Sequence, residues 1–159
     1  MLPSKDLETV ENKLPTFLES TIKTLNEPTP ADKIKSRPGS GGMSFKYVEV
    51  GYVIAQLDKA FNKLWEFEIT EQQVGDRQVW VKGRLTVHLA PNFSLKKDSF
   101  GSSDIKKYGT GTPRAGQVID IGNDFKAAQA DALKKAASYL GVASDIFYKN
   151  DSGSNESEE

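Results

Sequence analysis

Hydrophobic positions recur at helical spacing in three stretches of the chain and at a period of two in the middle. Over residues 4–25, Leu7, Val10, Leu14, Phe17, Leu18 and Leu25 predict an amphipathic helix, with Pro15 expected to kink or split it. Glu27-Pro28-Thr29-Pro30 breaks that pattern, and Ile34 to Gly42 (IKSRPGSGG) reads as a loop rich in Gly, Pro and Ser. From Val48 to Lys63 the helical period returns, with Val50, Val53, Ile54, Leu57, Ala60, Phe61 and Leu64 on one face. Trp65 to Ile69 then alternates, Val74 to Arg77 supplies a turn, and Gln78 to Leu89 alternates again. On that second strand Val79, Val81, Leu85, Val87 and Leu89 point one way, while Trp80, Lys82, Arg84, Thr86 and His88 point the other. One face therefore belongs to a core, and the other presents Lys82 and Arg84 as candidate contacts for an anionic partner. Ser94 to Phe100 is a further candidate strand, followed by a polar loop from Asp104 to Gly116. The last helix is expected over Asn123 to Leu140, with Phe125, Ala128, Ala132, Leu133, Ala136 and Leu140 inward, Asn123 or Asp124 as N-cap and Gly141 as the C′ residue. Its small Ala side chains predict close packing on the sheet. The element order gives an α+β fold, an antiparallel hairpin or meander packed against helices.

Length divides the chain into one substantial domain with appendages: a helical segment at 1–30, a central domain at 31–150 and an acidic tail at 151–159 (DSGSNESEE), expected to be disordered. The absence of cysteine excludes disulfides and thiolate metal sites. No run approaches the ~18 to 20 apolar residues that would span a bilayer. The N-terminus carries no apolar leader, so a cytoplasmic location, or a nuclear one in a eukaryotic host, is expected. The net charge of −1 conceals an uneven distribution. Residues 1–32 carry six acids and three bases, the tail from Asp151 four acids and no base, and residues 33–150 carry 18 bases and 12 acids. A basic body between acidic ends is compatible with nucleic-acid binding.

Two segments concentrate candidate chemistry. In Ile34 to Tyr47 (IKSRPGSGGMSFKY), an arginine that can grip phosphate, a glycine loop and a tyrosine that can stack precede a helix. Taken locally, an ordinary surface loop is the favoured explanation, and a nucleotide P-loop is a poor fit because no Lys-Ser or Lys-Thr follows the glycines and no strand is expected before them. In Asp131 to Ala136 (DALKKA), adjacent lysines project about 100° apart, so that one can flank the core while the other faces a groove. By itself this is an ordinary solvated helix face. His88, the single histidine, reads as solvent-facing. Asp98, Asp104, Asp120 and Asp124 could be imagined as a two-metal nuclease cluster, but their scatter through loops and caps favours turn and capping roles. Trp65 is expected in the core, and Trp80 is divided evenly between packing and base stacking.

Taken together and in order, IKSRPGSGGMSFKYVEVGYVI, Phe61 with Trp65, the hairpin and AAQADALKKAASYLG resemble the ring-forming single-strand annealing proteins of recombinational repair, the Rad fifty-two family with its shorter phage and bacterial Sak-type relatives. The resemblance spans Ile34 to about Phe147. It implies a primary DNA site at Arg37, Tyr47, Lys134 and Lys135, with Ser138 standing where eukaryotic members carry another arginine. It implies a second DNA path near Arg77, Lys106 and Lys107. It also implies ATP-independent binding and annealing of single-stranded DNA, no cofactor, and an oligomeric ring of roughly ten or more copies. A single-strand binding protein or recombinase is the expected protein partner. The eukaryotic members' long C-terminal extension has no counterpart here, which points to a phage or bacterial source. A coating protein that does not anneal, or a metal-dependent nuclease, is the alternative.

Overall fold

A computed structural model describes the backbone of residues 14–153 and the side chains of 19–149. Among these residues the order is α1 (Leu14–Leu25), β1 (Ile34–Pro38), β2 (Ser44–Val48), α2 (Val50–Phe61), β3 (Trp65–Val74), β4 (Gln78–Ala90), β5 (Phe93–Asp104), α3 (Ile121–Ser138) and α4 (Ser144–Gly153). The fold is α+β, as the pattern predicts: β1 and β2 form an antiparallel hairpin, and β3, β4 and β5 form an antiparallel meander in that order. No described helix is long and apolar enough to cross a membrane.

The period-two stretch lies where expected. Val79, Val81, Leu85 and Val87 on β4 are at most 2% exposed and face the helices. They join Val48, Val53, Leu57 and Phe61 from the other elements in two adjoining clusters. Val81 and Val79 meet Ala128 and Ala132 of α3. The approach is close because β5 carries Gly101 opposite Val81: a Cβ there would lie 2.2 Å from the Ala128 carbonyl oxygen and 2.3 Å from the Ala132 nitrogen. Ser99 Oγ donates to the Ala132 carbonyl at 2.6 Å, and Asp131 accepts the Ser102 N–H at 3.1 Å, stitching helix to strand. The end of α3 also follows the sequence reading. Gly141 has φ +109°, and the Gly141 and Val142 amides donate to Ser138 and Ala137, the two bonds of a Schellman cap.

Three expectations need correction, and a fourth falls partly outside the described residues. The segment starting at Ile34 is a strand rather than a loop. After half-buried Ile34 every residue is exposed, with no apolar periodicity, and pairing with β2, not burial, makes it a strand. The first expected helix is described over Leu14–Leu25; the expected stretch 4–13, and with it the kink or split expected at Pro15, lies outside the described residues. The N-cap of α3 is Asp120, whose Oδ1 accepts the Asn123 N–H at 3.2 Å. Asp124 instead is buried within the first turn. Finally, α4 runs to Gly153, three residues into the tail expected to be disordered; 154–159 lie outside the described residues.

The connection between α1 and β1 is held by α4. Thr29 donates its N–H (3.1 Å) and Oγ1 (2.7 Å) to the two carboxylate oxygens of Asp145. Trp65 packs on the main cluster as expected, with Nε1 donating to Asp58 at 2.8 Å.

Candidate nucleic-acid interface

The β1–β2 register sets Arg37 opposite Phe45 and Lys35 opposite Tyr47, with Gly41 and Gly42 at φ +70° and +78° turning the chain between the strands. These are conformations that glycine adopts without the steric penalty of a Cβ. Val48 at the end of β2 is fully buried, so the hairpin base is fixed in the core while its tip projects. Beside it runs α3. Lys134 Nζ donates to the Val48 carbonyl at 3.4 Å and stands 5.7 Å from the Tyr47 ring centroid. Lys135, one position on, lies 5.8 Å from the Tyr139 ring.

Arg37, Tyr47, Lys134 and Lys135 therefore converge from segments about a hundred residues apart on one cavity of about 600 Å³. Phe45, Lys46, Phe100, Asp131 and Phe147 complete its walls. Burial, then the charge of Arg37, lowers the Lys134 pKa from the ordinary lysine value, against the opposing pull of Asp131 and Glu49. A desolvated ammonium beside a guanidinium is a site short of negative charge, which a phosphate oxygen would supply. Lys35, by contrast, is committed to Glu49; their hydrogen bond raises the lysine pKa and lowers that of the carboxylate.

A second cavity of about 570 Å³ shares Arg37, Asp131 and Lys134 with the first and adds Lys106, so the two form one furrow along α3. A third hollow shares Gln78 and Asp104 with the second and contains Arg77. Lys106, Arg77 and the main groove thus lie along one track. The loop bearing Lys106 is held by its own N–H, which donates at 3.2 Å to the buried Asp124 carboxylate. Lys107 sits in a bridge with Val118 and lines none of these three cavities.

Lys82 and Arg84 are not brought into the groove. They lie on the outer sheet face, Lys82 3.3 Å from Glu71 and Arg84 gripping both oxygens of Asp98 at 2.8 and 3.0 Å. The expected row of bases is a row of cross-strand ion pairs, because β3 and β5 supply acids at the matching register positions. His88 is half-exposed on the same face, 2.7 Å from Ser94 Oγ.

The family model for Rad52/22 family double-strand break repair protein matches residues 18–158. The chain belongs to this family. Rad52/22 membership makes it a protein of DNA repair and recombination. No curated protein sequence matches it.

Ser138, where the resemblance set a further groove position, does not line the groove. It is fully buried, its Oγ donates to the Lys135 carbonyl at 2.6 Å, and its own carbonyl accepts from Tyr148 Oη at 3.3 Å. Here α4 covers that helix position, and Lys135 is the last α3 cation on the groove. Sequence reading alone missed Phe45, Lys46, Phe100, Asp131 and Phe147 as lining residues. The signal available was aromatic and charged residues at positions alternating with core ones, as for Phe100 beside Ser99 and Gly101 on β5.

Proposed function

We propose that this protein binds single-stranded DNA and anneals complementary strands without ATP, metal or cofactor, as a closed ring of protomers. The observation that carries the reading is the furrow in which Arg37, Tyr47, Lys134 and Lys135 meet. Phosphates are neutralised there, Tyr47 stacks on a base or donates to a phosphate, and base edges remain outward. Two strands held in this way sample pairing with reduced backbone repulsion, and duplex formation drives the reaction. Lys106 and Arg77 extend the track to a second path, with Lys107 as a peripheral contributor. Lys82 and Arg84, tied to Glu71 and Asp98, have no part in this site.

Head-to-tail contacts that close on themselves give a ring. The outer edge of β3 and the surface of α2 are the proposed contacts. Single-stranded DNA is the principal partner, with a single-strand binding protein or a recombinase as an accessory one, in the cytoplasm or in a eukaryotic nucleus.

The nuclease alternative gains no support from the carboxylates. Asp98 pairs with Arg84, Asp104 with Gln78, Asp120 caps α3 and Asp124 holds the Lys106 amide. Among the described residues no three His, Asp or Glu side chains are grouped to hold a metal ion.

The test is annealing of two labelled complementary oligonucleotides without ATP or metal, comparing wild type with Arg37→Ala/Lys135→Ala. Acceleration by wild type and its loss in a mutant that still oligomerises is the expected result. Binding without acceleration would make this a coating protein, and no binding at low salt would reject the nucleic-acid reading.

A further inference from the structure

Phe100 is 62% exposed, more than any other large apolar side chain among the described residues. It sits on β5 at an edge of the meander, where an exposed aromatic ring invites unwanted association. Core packing does not explain its position: its strand neighbours Ser99 and Gly101 are the buried ones. Two features do. Phe100 lines the same cavity as Arg37, Lys134 and Lys135, and its ring meets Trp80 edge to face, with centroids 5.6 Å apart and planes at 67°. Trp80 fixes the ring from the β4 side while most of its surface stays in solvent.

We propose that Phe100, backed by Trp80, is a base-stacking platform on the rim of the groove. This rests on the single-strand reading above. The cations of the cavity select a polyanion, and an aromatic surface beside them takes the part of that polyanion which is flat and apolar, the nucleobase. Stacking engages the face of a base and leaves its pairing edge open, so the platform orders bases without blocking annealing. It tolerates any sequence, since every base has such a face.

The test uses the full chain and two ligands of equal length, an oligothymidine and an abasic deoxyribose-phosphate strand. Phe100→Ala is expected to weaken oligothymidine binding roughly five- to one-hundred-and-fifty-fold, the range for one lost base stack. Binding of the abasic strand, and the dependence of log affinity on log salt, should stay unchanged, and Phe100→Tyr should restore affinity. In a Trp65→Phe background, Trp80 emission should respond to oligothymidine and not to the abasic strand. Equal weakening for both ligands would overturn the platform, as would no weakening for either. A change in oligomer size in Phe100→Ala would overturn it too, assigning the ring to a contact between copies. If wild type binds neither ligand, the single-strand reading falls and the platform with it; a silent Phe100→Ala in a protein that binds both rejects the platform alone.

Discussion

Gly101→Ala tests the link between the packing of α3 and the site it carries. The added Cβ would stand 2.2 Å from the Ala128 oxygen, 2.3 Å from the Ala132 nitrogen and 2.9 Å from the Ala132 Cα. These are backbone atoms, the first two more than ~1 Å inside van der Waals contact, and no side-chain rotation relieves them. Either α3 lifts from β5 or the strand bends away. Overpacking of this kind costs about 1–3 kcal/mol, and a backbone clash on both helix and strand places the change at the upper end. For a chain of this length that lowers Tm by roughly 6–12 °C, at about 2–4 °C per kcal/mol. Lifting α3 also strains the Ser99–Ala132 and Asp131–Ser102 bonds and moves Lys134 and Lys135 relative to Arg37. Thermal unfolding and single-strand affinity should therefore fall together. Gly51→Ala is the control: it lies in α2 with no atom within 4 Å of a built Cβ, and should be neutral or stabilising by up to about 1 kcal/mol. A Gly101→Ala protein that melts with wild type and binds DNA equally would refute the described helix–sheet contact.

Other consequences follow from single residues. We predict that Leu57→Ala, at a fully buried position in the main cluster, costs about 2–5 kcal/mol in a denaturant titration; a cost below 1 kcal/mol (~) would mean that α2 is not packed as described. Asp120→Ala removes the N-cap of α3 and should cost about 0.5–2 kcal/mol, whereas Asn123→Ala, a residue first expected to cap, should cost less. Because Lys134 has a folded pKa below its unfolded value, its charged form is disfavoured by folding, a cost relieved as pH rises through the lowered folded pKa. Its share of DNA affinity needs that charge and is lost over the same rise. Affinity should thus decline on the alkaline side at lower pH in wild type than in Lys134→Arg; identical pH profiles would refute this assignment.

The sequence by itself determined the parts of this protein governed by local period and local chemistry. The alternation from Gln78 to Leu89 placed Val79, Val81, Leu85 and Val87 on the buried face, since a pleated strand leaves adjacent side chains no choice of side. Gly141 marked the end of α3, because the capping turn there needs a positive φ. The glycine loop and the lysine pair also stood out, although their partnership was visible only through the family resemblance. What remained depended on contacts between distant segments. Strand β1 has almost no buried side chain to announce it and exists through pairing with β2. Lys82 and Arg84 looked like free cations until neighbouring strands set acids beside them, and Ser138 looked like a groove position until α4 covered it. Phe100 became part of the site only when β5 was laid along α3, bringing this residue to a cavity whose cations come from Arg37 on β1 and Lys134 and Lys135 on α3. Charge pairing, burial and cavity walls depend on which surfaces meet, and a linear pattern of residues specifies only which way each surface faces.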